Sequence, residues 1–262
     1  MLLNAVPQRQ GALSPRAADL PDGCLALADL AGHVLGLPVH HIRQTHELSE
    51  VDRGIANRAI LTGPNRAAQL AALEAPGGPV LTIGGDCGVE LIAIGVARYR
   101  YGPELGVAWF DAHPDLNTAE SSLSGAFHGM VLRSLLGEGD PEFAADPALA
   151  AGRVALIGTR AFDPAEREVV ERGLVVEDLA ALGSSGKIYV HVDLDVLEPG
   201  EFAGINYPEP GGLSIGELVD ALDALSGFEV VGVGITECVG DSKDVLVLEP
   251  VLAAVGRLLK DS

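Results

Sequence analysis

Residues 105–115 read Leu105-Gly106-Val107-Ala108-Trp109-Phe110-Asp111-Ala112-His113-Pro114-Asp115, an apolar run that stops abruptly at a cluster of polar residues. The run is apolar on both parities, as a strand buried on two faces of a sheet must be. Similar runs occur at Pro79–Ile83, Arg153–Ile157, Gly173–Val176, Ile188–Val192 and Glu229–Ile235. Helical patterns separate them at Asn65–Glu74, Val89–Arg98, Gly129–Leu136, Pro164–Arg172, Ser214–Leu225 and Pro250–Lys260. Two of these helices have legible starts: Asp163 precedes Pro164, with Glu166 in the first turn, and Ser214 stands three residues before Glu217. The alternation predicts an α/β fold, a mainly parallel sheet with helices on both faces in three layers. No linker, repeat or composition shift divides the chain, so one catalytic domain is expected over residues 1–262.

In such sheets ligands bind beyond the carboxyl ends of the strands. The unusual polar residues fall there: Gly84-Gly85-Asp86-Cys87, Asp111-Ala112-His113-Pro114-Asp115, His191-Val192-Asp193-Leu194-Asp195 and Thr236-Glu237 each follow an apolar run. Asp111, His113 and Asp115 are spaced two apart, and Asp193 and Asp195 repeat the spacing. In extended backbone such residues share one side. Clustered carboxylates repel unless cations neutralise them, and oxygen-rich sets with one imidazole suit hard divalent ions. The expectation is a two-metal site built from these five residues, with Cys87 as a sixth ligand.

The bulk composition narrows the function. Seventeen basic against 37 acidic residues give a formal charge of −20, which argues against nucleic-acid or anionic-membrane partners. No stretch reaches the roughly 18–20 apolar residues of a membrane span. Met1–Gln10 lacks the order of a signal peptide, so a cytoplasmic location is expected. Three cysteines, an odd and sparse count, argue against a disulfide framework and leave Cys24, Cys87 and Cys238 as buried residues, ligands or reactive thiols.

At its strand-end motifs the chain resembles the ureohydrolases, the family of arginases, agmatinases and formiminoglutamases. Asp111-Ala112-His113-Pro114-Asp115 matches that family's Asp-Ala-His-x-Asp, and Asp193-Leu194-Asp195 its Asp-x-Asp. Gly84-Gly85-Asp86-Cys87 stands where the family has Gly-Gly-Asp-His. The matching positions run from about residue 80 to 240 in the family's order, and the first 75 residues contribute little. The resemblance implies an arginase-like fold and two Mn2+ ions. One would be held by Cys87, Asp111, Asp115 and Asp193, the other by Asp111, His113, Asp193 and Asp195. It also implies hydrolysis of a guanidino amino acid to urea or a substituted urea, with Asp115 orienting the nucleophile, His128 protonating the leaving amine and Glu237 pairing with the guanidinium. Asn117 and Ser124 correspond to α-carboxylate contacts, and Asp163 and Glu166 to acids near the α-amino group. Each has a structural reading as well: Asp163 and Glu166 as helix caps, Asn117 and Ser124 as turn residues.

Some positions depart from the pattern. A thiolate at 87 adds charge where imidazole adds none, weakening the Lewis acidity of the pair and bringing Zn2+, Fe2+ or Co2+ into competition with Mn2+. Glu198-Pro199 replaces the family's Asp-Pro, Asn206 and Tyr207 occupy the loop Gly200–Pro210, and Cys238-Val239-Gly240 follows Glu237. These changes suit a modified substrate, an N-hydroxyguanidine such as N-hydroxyarginine. Agmatinase or formiminoglutamase chemistry, a single-zinc deacetylase of the same fold, and a homologue that binds without turnover are the competing readings. A homo-oligomer is compatible with the resemblance, with a small-molecule guanidino substrate as the partner.

Overall fold

The computed structural model describes residues 1–73, 78–183 and 186–260. Among the described residues seven strands form one sheet: β1 Leu2–Val6, β2 Val39–His41, β3 Val80–Gly84, β4 Gly106–Phe110, β5 Val154–Ile157, β6 Lys187–Asp193 and β7 Glu229–Thr236. Their order is β2-β1-β3-β7-β6-β4-β5, and every neighbouring pair is parallel. The helices are α1 Leu20–Leu35, α2 Arg58–Ile60, α3 Arg66–Leu73, α4 Glu90–Tyr101, α5 Val131–Leu135, α6 Pro164–Glu171, α7 Ile215–Asp223 and α8 Glu249–Lys260. Among the described residues no helix is long and apolar enough to cross a membrane.

The two parities of β4 show why its sequence is apolar throughout. Ala108 and Phe110 join a core that includes Leu27 of α1, Leu218 and Leu222 of α7, and Val255 of α8. Val107 and Trp109 point to the other face and pack with Ile94 of α4 and Val131 and Leu135 of α5. The expected three-layer α/β/α arrangement is the observed one. Four adjacent strands, β3, β7, β6 and β4, bring Cys87, Glu237, Asp193 and Asp111 to one edge.

The element reading needs one correction. Gly173–Val176 is not a strand: Val176 makes only an isolated parallel bridge to Ala155, at the edge beyond β5. Few residues separate α6 from the 3-10 turn at Leu179–Leu182, which leaves no room for a longer ladder. The predicted helix Asn65–Glu74 is observed as α3, and Glu74 lies outside the described residues. Four elements, β1, β2, α1 and the short α2, escape the sequence reading. Pro21 and Gly23 give the start of α1 the look of a turn, yet Pro21 sits in the first helical turn, where it is tolerated. A Cβ at Gly23 would meet the Cys238 carbonyl oxygen at 2.1 Å, so the glycine lets α1 approach the segment following β7.

Arg58 anchors the loop that precedes α2. Its Nε and Nη2 donate to both carboxylate oxygens of Asp140 at 3.0 and 2.9 Å, and Nη1 reaches Asp52 at 3.2 Å. The same loop is tied to the segment around Ser124 by Ala56 N–H donating to the Gly125 carbonyl at 3.0 Å. The bidentate contact with Arg58 holds the Asp140 carboxyl below its ordinary value. Arg58→Met strands the buried Asp140 carboxylate and is expected to cost about 3 kcal/mol in chemical denaturation. Because the folded-state pKa of Asp140 is lowered, its contribution is fully present above the unfolded value of roughly 3.9 and disappears as pH falls through the folded one. The melting-temperature gap between wild type and Asp140→Asn should therefore be wide at neutral pH and close in acid, and a gap independent of pH would contradict the pairing.

Candidate metal centre

At the end of β3, Asp86 caps a short turn and aims the next residue. Its carboxylate accepts from Gly88 N–H at 2.9 Å, Gln8 Nε2 at 3.0 Å and Gly11 N–H at 2.8 Å. Burial, with Glu237 nearby, pushes its pKa up to about 6. Cys87 is thereby turned inward, 1% exposed, with Sγ 3.0 Å from both Asp193 Oδ2 and Thr236 Oγ1.

Asp111 follows β4 and is fully buried. It accepts from Trp109 Nε1 at 3.0 Å and from His113 N–H at 2.6 Å. Asp195 accepts from Ala112 N–H at 2.9 Å and faces His113 Nδ1 at 2.8 Å, joining the two Asp-rich motifs directly. Asp193 accepts from Asp195 N–H at 2.8 Å, closing the turn Leu194–Val196. The expected convergence occurs by a different route from the one predicted. Neither motif remains extended: β4 stops at Phe110, Asp115 is left-handed at φ 53°, and Asp195 lies in a 3-10 turn. Side-chain-to-backbone hydrogen bonds within the turns, not strand alternation, set the directions.

At the end of β7, Glu237 is left-handed at φ 66° and 1% exposed. It accepts from Cys87 N–H at 2.9 Å and Asn206 Nδ2 at 2.6 Å, and it faces His128 Nδ1 at 3.2 Å. A non-glycine residue held in this backbone region, fixed by several partners, marks a place where side-chain direction matters.

The donor atoms form three overlapping groups, each within 4.8 Å: Asp111, His113 and Asp195; Cys87, Asp193 and Glu237; and Cys87, Asp111 and His191. Asp115 stands beside them with Oδ2 buried and unpartnered. Burial and mutual repulsion push Asp115, Asp193 and the Cys87 thiol well above their ordinary ranges, and raise Asp195 to about 7. Burial would lower His113, but hydrogen bonds to Asp111 and Asp195 outweigh it and bring it to about 12. Such a set, crowded and acid-rich, with sulfur and nitrogen donors, is of the kind that divalent cations relieve.

Above the donors opens a cavity of about 570 Å³, within the usual range for small-molecule sites. His113, Asp115, Asp193, Asp195 and Glu237 reach its lining, while Cys87 and Asp111 lie outside it. The other sequence candidates also line it: Asn117, Ser124, His128, Asp163 and Glu166. Asn117 Nδ2 donates to Asp163 Oδ2 at 3.0 Å. Glu166 accepts from Asp163 N–H at 2.8 Å and Leu116 N–H at 3.0 Å, so it caps α6 while facing the cavity, and burial raises it to about 7. Ser124 is exposed and accepts from Ala126 N–H at 3.1 Å.

The sequence placed Asp86 and His191 in strand-end motifs and Asn206 in the neighbouring loop without giving them individual roles, and it did not point to Ser14 at all. Ser14 Oγ donates to Asn206 Oδ1, and Asn206 in turn braces Glu237. A histidine inside the apolar run of β6, two residues before Asp193, was a readable signal for His191. The contribution of Ser14 depends on contacts distant in sequence and had none.

The chain matches the Arginase family model over residues 35–241. An N(omega)-hydroxy-L-arginine amidinohydrolase of Streptomyces lavendulae is 27% identical over 242 residues, covering 87% of this chain and 86% of that protein. An arginase of Bacillus caldovelox is 31% identical over 174 residues, and the match spans 58% of the length of each. In three dimensions the chain resembles Entamoeba histolytica arginase, solved in complex with L-ornithine, with a TM-score of 0.82 at 22% identity, over 98% of this chain and 99% of that one. A proclavaminate amidino hydrolase from Streptomyces clavuligerus gives 0.70 at 20% identity, over 99% and 94%. The family model runs through every strand end that supplies a donor, from Cys87 to Glu237, and the chain belongs to the arginase family.

Proposed function

We propose that this protein is a two-metal hydrolase of a guanidino amino acid, releasing urea or a substituted urea. One observation carries the reading: a single cavity presents acid-rich donors on its floor, the His128–Glu237 pair to one side, and the linked Asn117, Asp163 and Glu166 on its wall. Cys87, Asp111, Asp115 and Asp193 would hold one Mn2+, and Asp111, His113, Asp193 and Asp195 the other. When bound, such a pair supplies an activated water near neutral pH and positive charge for the developing anion.

The chain's own residues divide the remaining work. Glu237 offers negative charge to a guanidinium and is kept in place by the Cys87 amide and Asn206. Burial opposes protonation of His128, but the Glu237 carboxylate outweighs it and holds the imidazole above its ordinary value. A histidine whose hold on its proton is strengthened in this way suits proton delivery to the leaving amine. Asp115, with an unpartnered carboxylate oxygen, is placed to orient the attacking water. Asp163 and Glu166 suit an α-ammonium, and Asn117 with Ser124 an α-carboxylate.

The N-hydroxyguanidine reading is favoured by Cys87, whose charge tempers the metal pair, and by the likeness to the S. lavendulae enzyme over most of both chains. A less basic guanidine is more readily attacked, which suits a less electrophilic centre.

Two outcomes test these readings. Metal-stripped protein should take up two equivalents of Mn2+ and melt higher when loaded, gaining about 2.7 kcal/mol for each ion at a hundredfold excess over its Kd. Asp111→Asn and Asp195→Asn should each lower the stoichiometry, and binding of one equivalent or none by wild type would overturn the two-metal reading. Assayed with L-arginine, N-hydroxy-L-arginine and agmatine, the enzyme should release hydroxyurea fastest. The double substitution Asn117→Ala/Ser124→Ala should lower kcat/KM for the two amino acids by roughly tenfold or more while sparing agmatine. Faster turnover of plain arginine sinks the modified-substrate version, and equal loss on agmatine sinks the carboxylate assignment.

A further inference from the structure

His191 lies on β6 two residues before Asp193 and is fully buried. Its ring stacks on Trp109 with centroids 3.7 Å apart, which fixes the plane of the imidazole. Nε2 stands 3.8 Å from Cys87 Sγ and 3.8 Å from Asp111 Oδ2, while Nδ1 is 4.0 Å from Glu90 Oε2. Among the described residues no nitrogen or oxygen atom makes an ordinary hydrogen bond to either ring nitrogen, Nδ1 is buried without a partner, and the buried Glu90 carboxylate has the Tyr189 hydroxyl as its other neighbour. Buried polar groups are almost always satisfied, so an imidazole left in this state needs an explanation.

A shared cation supplies one. Two donors at about 2.1 and 2.3 Å from an ion, and as far apart as Nε2 and Sγ are here, subtend roughly 120° at it, within the range of four- and five-coordinate sites. The ligand atoms of Cys87, Asp111 and His191 lie within 4.8 Å of one another. Behind the ring, Glu90 occupies space that only glycine leaves: a Cβ at Gly234 would meet Glu90 Oε1 at 1.9 Å. A carboxylate facing the second nitrogen is the usual support of a metal-bound histidine, fixing its tautomer and plane. Imidazole also adds a donor without adding charge, beside a thiol and a carboxylate that are already anionic when they ligate.

We propose that His191 is a nitrogen ligand of the ion held by Cys87 and Asp111, with Glu90 as the positioning residue that holds its ring through Nδ1. The proposal rests on the two-metal reading above and adds a second imidazole to the single one, His113, expected from the sequence.

The test uses the cobalt-loaded, full-length protein. Each cobalt-bound histidine contributes one hyperfine-shifted, solvent-exchangeable ring N–H to the proton NMR spectrum. Wild type should show two such signals with two cobalt ions bound. His191→Gln should lose one signal, keep a displaced thiolate-to-cobalt absorption band, and bind one of its ions at least tenfold more weakly. Glu90→Gln should retain both signals while that affinity falls by roughly 10- to 100-fold. Two bound ions with a single shifted N–H in wild type would overturn the assignment of His191 and leave the two-metal reading standing. Failure of wild type to bind two ions overturns both. The wild-type signal count needs no variant, so it decides the matter even where a substitution disturbs folding.

Discussion

Like charges brought together in a buried place repel, and the repulsion grows as water is withdrawn. Asp111, Asp115, Asp193, Asp195 and Glu237 are all at most 5% exposed, and the Cys87 thiol is packed among them. A parallel sheet can impose this crowding because four neighbouring strands end at the same edge, backed by apolar layers on both faces. Partial relief comes from within: backbone N–H groups donate to Asp111, Asp193, Asp195 and Glu237, and His113 lies between two carboxylates. What remains is a standing preference for positive charge at that edge. The cavity lies directly over it.

The layout separates two kinds of labour. Residues beneath the floor, Cys87, Asp111 and His191, belong to the interior and are fixed by Trp109, Thr236 and the strands. Residues on the wall, Asn117, Ser124, Asp163 and Glu166, come from loops and the first turn of α6. On the proposed reading, substrate choice can vary through the wall while the floor is held constant. Glu237 joins the two sets, since its carboxylate touches the amide of Cys87 beneath and the ring of His128 above.

Much of this was legible in the sequence. Buried parallel strands announce themselves as apolar runs, and β4 and β6 each end in an Asp-rich motif that no helix cap explains by itself. The proline at 164 and the Ser214–Glu217 pair marked the starts of α6 and α7. The misses have physical causes. Val176 has strand-like neighbours but only an edge to bind, and Pro21 with Gly23 disguised α1. The turn geometry after Asp111 and at Asp195 could not be read from spacing, because the hydrogen bonds that fix it, from the Ala112, His113 and Asp195 amides, are properties of the folded loop. The roles of Gln8, Gly11 and Ser14 were hidden for the same reason, since their partners lie far along the chain.

That last feature bears on how the molecule reaches its native state. Gly11 closes onto Asp86 across 75 residues, Cys87 onto Glu237 across 150, and Arg16 onto the Val239 carbonyl across 223. Contacts between segments so distant carry a large loop-closure cost and form slowly. The donor cluster cannot be complete until both ends of the chain have docked on the central strands. During synthesis the acidic loops of β4 and β6 emerge before the β7 end that braces them, so the centre cannot be complete before Glu237 has been made.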